Sequence, residues 1–321
     1  MRIVTGIVGA LAALALAACS EQQAGGAGQG GAGQGAGAAG PVTELRIGLT
    51  APETASEIAK GLEAYRSYLE RELGVKVSVA QASDYAGVAQ AIAAGQIDLA
   101  PVGPSNYAAM ALAMGDQVAP IATTEEVDGS TGYYTMLFVR ADSPYQTLED
   151  LRGKSLAFSD VNSASGYLVP RFALRKEGKE PETFFGQTIF AGGHPQAVIA
   201  VLRGQADAGV TWASNIGEES QGYSRGTFNR MVAANQLAMA DLRILWRYGP
   251  IPNGPLVIRT ALPADFRQKV LQAHLDMKEK SPEAFVFYAQ GSGNDLVAVD
   301  AALYADIIEM RKAEEAARRG N

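Results

Sequence analysis

Residues 75–107 read VKVSVAQASDYAGVAQAIAAGQIDLAPVGPSNY, and two strand-to-helix passages are legible in them. Residues 75–79 alternate valine with a lysine and a serine, as a half-buried strand does. Residues 88–94 carry apolar side chains at helical spacing and stop at Gly95, a residue suited to the left-handed turn that ends a helix. Residues 97–102, apolar apart from Asp98, form a short run of the kind that fills a strand buried on both faces. Pro104 follows, and a proline opens a helix without losing a needed hydrogen bond.

The same alternation extends both ways. Residues 45–49 read as a first strand. Ile58, Leu62, Tyr65 and Leu69 then recur at helical spacing up to Leu73-Gly74, and 118–122 read as a fourth strand. This order implies a parallel sheet covered on both faces. A second unit follows. Residues 134–139 are apolar and extended and read as a crossover between lobes, and Thr147-Leu148-Glu149-Asp150 reads as a capping box. Strands are expected at 155–158, 188–191, 206–210, 243–248 and 255–258. Helices are expected through Leu168 and Leu174 and over 195–203, and the pattern is helical from Pro263 almost to the end. The fold class is therefore α/β with two lobes, the first built from 44–137 plus 249–321 and the second from 138–248.

The N-terminus is a different kind of sequence. Arg2 precedes an apolar run, 3–18, too short for a convincing membrane span and shaped like a secretory signal. It ends Leu16-Ala17-Ala18-Cys19, which resembles the bacterial lipobox. That resemblance implies cleavage before Cys19 and a lipid on its thiol, hence an anchor in the cell envelope. Ser20 leaves open which membrane holds it. Cys19 is the single cysteine, so no disulfide is expected. Residues 24–40 contain only Gly, Ala and Gln, which cannot bury a core. Residues 19–43 read as a tether, with a flexible span of roughly 25 Å. Gly26, Gly28 and Gly31 match a dinucleotide-binding spacing in form only, because no strand precedes them. No cofactor is expected.

At 321 residues, 47% hydrophobic and 19% charged, the chain is an ordinary globular composition rather than a disordered one. With 27 Lys and Arg against 34 Asp and Glu, and no basic stripe, nucleic acid is not an expected partner. An acidic chain that holds an anion needs local donors, such as helix N-termini, hydroxyls and an imidazole.

Three loops offer such donors where ligands meet open α/β sheets, at the carboxyl ends of strands. In Asp160-Val161-Asn162-Ser163-Ala164-Ser165-Gly166-Tyr167, serines at a helix start supply hydroxyls beside free first-turn N–H groups. Plain N-capping by Ser163 or Ser165 explains the same residues. Pro170, a few residues into that helix, breaks a local rule. In Gly192-Gly193-His194-Pro195 the proline puts His194 at or near the N-cap. Ser83-Asp84-Tyr85, with Tyr133-Tyr134, adds phenol donors. His274 lies in an amphipathic helix and reads as structural. A hydrolase with Ser163 or Ser165 as nucleophile, His194 as base and Asp207 as orienter is the rival from another class, although G-x-S-x-G is absent around both serines.

The blocks 83–107 (SDYAGVAQAIAAGQIDLAPVGPSNY), 133–170 (YYTMLFVRADSPYQTLEDLRGKSLAFSDVNSASGYLVP), 192–209 (GGHPQAVIAVLRGQADAG) and 245–259 (LWRYGPIPNGPLVIR) resemble the phosphate/phosphite/phosphonate-binding proteins of ABC importers. The resemblance implies a type II periplasmic-binding fold, two lobes joined by two crossover strands, and a ligand that is a small phosphorus oxyanion passed to a permease. A monomer is expected. In that family a Ser-Thr-Ser-Gly turn holds the oxyanion, which here falls to Ser163, Ala164 and Ser165, with Asn162 beside them. Ala164 supplies only its N–H. His194 matches the family histidine, Tyr85 and Tyr133 match its tyrosines, and Asp207 matches an acid read as structural. Family members that take aminoalkylphosphonates pair the amine with carboxylates. Around Trp212 and Asn253 no acid stands in the adjacent tetrapeptides, which favours a ligand without an amine, unless Glu53 or Glu218 reaches the cleft. A sensor that signals through a membrane receptor would look the same in sequence.

Overall fold

The computed structural model describes residues 41–50, 55–82, 84–289 and 293–319. The signal segment 1–18, Cys19, the tether up to residue 40, Glu53 and Ser83 lie outside the described residues. The described residues fall in one compact unit.

That unit holds two sheets. The first has strand order β11-β4-β10-β3-β1-β2 and the second β7-β6-β8-β5-β9. The strands of the first sheet are β1 (Glu44–Thr50), β2 (Lys76–Ala82), β3 (Leu99–Pro101), β4 (Val118–Glu125), β10 (Leu256–Arg259) and β11 (Asp295–Ala298). Those of the second are β5 (Gly132–Arg140), β6 (Ser155–Phe158), β7 (Gln187–Phe190), β8 (Ala208–Ala213) and β9 (Leu242–Pro252). The helices are α1 (Ala55–Leu73), α2 (Tyr85–Ala93), α3 (Pro104–Met114), α4 (Val169–Lys176), α5 (Pro181–Phe184), α6 (His194–Leu202), α7 (Thr227–Ala233), α8 (Ala264–Leu275), α9 (Met277–Lys280), α10 (Pro282–Ala289) and α11 (Ala305–Arg319).

The chain passes from the first sheet to the second between β4 and β5 and returns between β9 and β10. Residues 134–139, expected as a crossover, instead lie within β5, which pairs along most of its length with β8 and β9 inside the second sheet. Their apolar run, interrupted only by Thr135, has a physical cause. Met136 and Phe138 enter one core of the second lobe while Leu137 and Val139 enter the other, so both faces are buried.

The first sheet is mixed rather than parallel. β1 runs parallel to β2 and β3, but β10 inserts antiparallel between β3 and β4, and β11 adds antiparallel to β4. The helical pattern expected from 263 onward is therefore interrupted by β11, a four-residue edge strand too short to set up a visible alternation. One face of the sheet is covered by Tyr65, Tyr68, Phe266, Val270 and Phe285, the other by Val88, Ile92, Tyr107 and Met110. No helix among the described residues is long and apolar enough to cross a membrane.

His274 keeps the structural role expected of it. It is fully buried in α8, its Nδ1 is 2.7 Å from the Val270 carbonyl and its Nε2 is 2.9 Å from the Tyr65 hydroxyl. The carbonyl accepts only, so Nδ1 carries the proton and the phenol donates to Nε2. Burial holds this imidazole down to about 4.

Candidate functional site

β6 ends at Phe158, and the chain then turns twice before a helix can start. Asp160 Oδ1 accepts the Asn162 N–H at 2.7 Å, and the Asp160 carbonyl accepts the Ser163 N–H at 3.0 Å. Ser163 is the N-cap: its Oγ accepts the Gly166 N–H at 3.0 Å. The first turn, Ala164–Leu168, is a wide π-turn closed by Leu168 N–H to the Ser163 carbonyl. Such turns gather at functional sites. The wide turn also answers the expected fault at Pro170, which stands in the first turn of α4, where a proline costs no bond. Gly166 is required by space. A Cβ there would come within 2.5 Å of Ser159 Cβ and 2.9 Å of Ser163 Oγ.

His194 stands at the start of α6, next to the N-cap Gly193, and is 7% exposed. Its Nε2 lies 3.1 Å from Ser163 Oγ. Its Nδ1 lies 3.0 Å from Ser159 Oγ and 3.2 Å from Thr211 Oγ1. Ser159 Oγ already donates to the Val210 carbonyl at 2.9 Å, so towards His194 it can only accept. Two complete proton patterns follow. In one, Nδ1–H donates to Ser159 and the Ser163 hydroxyl donates to Nε2. In the other, the Thr211 hydroxyl donates to Nδ1, Nε2 carries the proton, and the Ser163 hydroxyl proton is released towards the cleft. Burial pushes the imidazole down to about 3, with the positive charge of Arg230 adding to the effect, so the ring is neutral in both patterns.

These groups open on a cleft of about 920 Å³. Tyr85, Tyr133, Ser163, Ala164, Ser165, His194, Trp212 and Asn253, all singled out from sequence, line it together. Tyr133 is buried against Trp212, ring centres 5.3 Å apart and nearly perpendicular, and Tyr134 turns to the second lobe's core. Burial pushes the Tyr133 phenol up, so it stays a neutral hydroxyl, while a hydrogen bond with Ser165 opposes that shift. On the facing wall, Val102, Gly103, Pro104 and Asn106 bring the N-terminus of α3 into the cleft. That helix has no side-chain cap, so its first-turn N–H groups are not consumed by one. Asn106 Nδ2 donates to the Tyr85 carbonyl at 3.1 Å, which ties α2 to α3 beside the opening.

Of four further side chains weighed from the sequence, only Asn253 lines the cleft. Asn162 does not line the cleft: its Oδ1 accepts from Arg311 Nη2 at 3.0 Å. Asn253 reaches the cleft floor, but its Nδ2 already donates to the Thr124 carbonyl at 2.8 Å and to Glu126 Oε1 at 2.9 Å. Glu218 is not among the lining residues. Asp207 accepts from Ser155 Oγ at 2.7 Å and from the Tyr145 hydroxyl at 2.9 Å, so it braces β6 and does not orient His194.

Two lining residues escaped the sequence reading. The guanidinium of Arg225 lies 5.5 Å from the Trp212 ring centre and that of Arg230 lies 6.0 Å from it. Two guanidinium groups thus flank the indole beside the serine turn, that of Arg225 being paired with the buried carboxylate of Glu126. Nothing in the spacing of Arg225 and Arg230 signals this; only the fold brings α7 and the loop before it onto Trp212. Among the described residues no cluster of His, Cys, Asp and Glu is arranged to hold a metal ion.

Residues 47–304 match the model of the family described as ABC transporter, phosphonate, periplasmic substrate-binding protein. The chain is similar to the phosphonates-binding periplasmic protein of Escherichia coli K12, 28% identical over 243 residues, covering 74% of this chain and 67% of that protein. It is also similar to the phosphate-import protein PhnD of Mycolicibacterium smegmatis, 30% identical over 218 residues, covering 65% of this chain and 64% of that protein. The chain thus spans about two thirds of the length of these curated relatives. Among solved structures, PhnD1 of Prochlorococcus marinus in complex with methylphosphonate shares the fold at a TM-score of 0.70 and 15% identity, covering 85% of this chain and 98% of that one. The architecture is the type II periplasmic-binding fold, two α/β lobes joined by two crossovers. With the family model spanning both lobes, the chain belongs to the periplasmic substrate-binding proteins of phosphonate ABC transporters.

Proposed function

We propose that this chain is the extracytoplasmic solute-binding lipoprotein of an ABC importer, which captures a small phosphorus oxyanion (a phosphonate, phosphite or phosphate) between its lobes and delivers it to a permease. The observation that carries the reading is the convergence of Ser163, Ser165 and a neutral, buried His194 on one cleft wall, opposite the N-terminus of α3. Buried hydroxyls and imidazole N–H groups gain most when they donate to an ionised acceptor. The relatives' names, phosphonates-binding and phosphate-import, point the same way.

In this reading the oxyanion docks first on the serine turn. It accepts from the Ser165 hydroxyl, from the N–H groups of the π-turn and from Ser163, whose proton it draws away from His194. The imidazole answers by taking the second proton pattern, with Thr211 donating to Nδ1. Closure about the two crossovers then brings up the α3 N-terminus and Tyr85, excludes water and strengthens each hydrogen bond. Trp212 and Tyr133 cover whatever substituent phosphorus carries. Cys19, at the end of the lipobox-like segment, supplies the lipid anchor, and residues 19–43 the slack for the lobes to reach the permease from the cell-envelope side. Ser163 lacks a carboxylate-oriented base, and an imidazole held near 3 is a weak one, so binding without turnover is the expected outcome.

Isothermal titration of the lobes against phosphite, methylphosphonate, 2-aminoethylphosphonate, phosphate and sulfate tests the reading. At least one phosphorus ligand binds well below about 1 mM. If all five remain at or above that level, the transport assignment falls.

A further inference from the structure

Helix α11 follows the last strand of the first sheet, yet it lies across both lobes. Its Ile307 shares a buried cluster with Ala108 of α3 and with Ala164, Leu168 and Val169 of the serine turn and the helix after it. Its polar side chains reach further into the second lobe. Arg311, 7% exposed, donates from Nη2 to Asn162 Oδ1 at 3.0 Å and from Nη1 to the Val161 carbonyl at 3.3 Å. Its Nε is held by Glu315 at 3.0 Å. One turn on, Glu314 accepts the Tyr167 hydroxyl at 2.8 Å, Arg318 Nε at 3.0 Å, and a further hydrogen bond from Arg171. Val161 and Asn162 immediately precede Ser163, and Tyr167 stands in the same π-turn. The turn is gripped at both ends from one helix.

We propose that α11 is a clamp that fixes the binding shape of the serine turn, with Arg311 as its positioning residue; this rests on the reading of that turn as the oxyanion seat. The turn needs such help. Residues 159–163 belong to no regular element, and ordering irregular backbone costs conformational entropy at every residue. Asp160 supplies internal bonds for two N–H groups but leaves the Val161 carbonyl and the Asn162 amide oxygen to an outside donor. The planar guanidinium meets both acceptors at once from a fixed direction, which a lysine ammonium cannot reproduce.

The experiment compares wild type, Arg311→Met, Arg311→Lys and Glu314→Gln by hydrogen exchange without ligand, then by titration with methylphosphonate, phosphite and inorganic phosphate. In Arg311→Met, exchange at the amides of 159–168 speeds up while β1 and β10 keep their protection. Affinity for the best-binding probe falls about tenfold, equal to about 1.4 kcal/mol, and Arg311→Lys falls between the two. Unchanged exchange at 159–168 would overturn the clamp, and so would faster exchange with unaltered affinity. If wild type binds none of the probes, the ligand assignment fails, and the exchange data alone decide whether α11 holds the turn. If Arg311→Met does not fold, Arg311→Lys and Glu314→Gln carry the same two readouts.

Discussion

Arg225 leaves the second lobe and donates to Glu126 in the first crossover, and both side chains are nearly solvent-free, 7% and 0% exposed. The pair is a junction. Glu126 Oε1 also accepts from Asn253 of the second crossover at 2.9 Å, and Arg225 Nε donates to the Ala289 carbonyl of the first lobe at 2.9 Å. Both passages of the chain and both lobes therefore meet at one ion pair beneath Trp212. Burial pushes the Glu126 carboxyl up and the Arg225 guanidinium down, each against the pull of its partner. Removing one partner strands a buried charge, at a cost of about 3–5 kcal/mol. Chemical denaturation of Glu126→Leu, Arg225→Met and the double variant should therefore show the double variant closer to wild type than either single one.

The seat itself is tested by Ser163→Ala and Gly166→Ala. Ser163 caps the turn and, in the proposed reading, meets the ligand; loss of the cap removes about 1 kcal/mol of stability. It also removes a hydrogen bond to a charged group, worth about 1.5–3 kcal/mol, or roughly 10- to 100-fold in affinity. Gly166→Ala keeps every hydroxyl but drives a methyl against Ser159. Its binding should fall at least as far, measured by the same titration. Full affinity in both variants would place the ligand elsewhere.

Oxyanion binding should change the His194 tautomer and leave its charge alone. Nitrogen-15 spectra of the labelled imidazole are expected to move the proton from Nδ1 to Nε2 on saturation. Affinity between pH 6 and 8 should follow only the ionisation of the ligand, because a ring held at about 3 does not titrate there. An imidazolium signal in the complex at neutral pH would contradict this.

Acid should unfold the protein through its two histidines. Their folded values, about 3 for His194 and about 4 for His274, lie below the ordinary 6.5. Between those values the unfolded chain binds the extra proton, so stability is full above 6.5 and is lost as pH falls towards the folded values. Each histidine removes about 1.4 kcal/mol per pH unit in that window. Urea midpoints at pH 7, 6 and 5 should fall accordingly, and His274→Gln should shallow the slope after an initial loss of stability.

The central part of the fold was readable because its signals are local. The strand at 155–158 and the capping box at Thr147 fall where periodicity and capping chemistry put them. What escaped is what depends on return of the chain. β10 slots between β3 and β4 only because the second crossover brings it back, and β11 is too short to alternate. The site divides in the same way. Ser163, Ser165 and His194 announce themselves at helix starts. Arg225 and Arg230 do not, since their relation to Trp212 spans a strand, a loop and a helix. Asn162 was misplaced because a turn residue's direction depends on Arg311, 149 positions away.

The turn linking β4 to β5 has a practical use. Glu126 is sealed beneath the cleft, yet one residue later Val127 is half exposed and Gly129 takes a positive φ of 83°. If the lobes close about the crossovers as proposed, a surface loop this close to the buried tie is a natural place to graft a fluorescent domain between Asp128 and Gly129. Such a chimera would convert the angle between the lobes into light, turning the binding protein into an optical gauge of its own ligand.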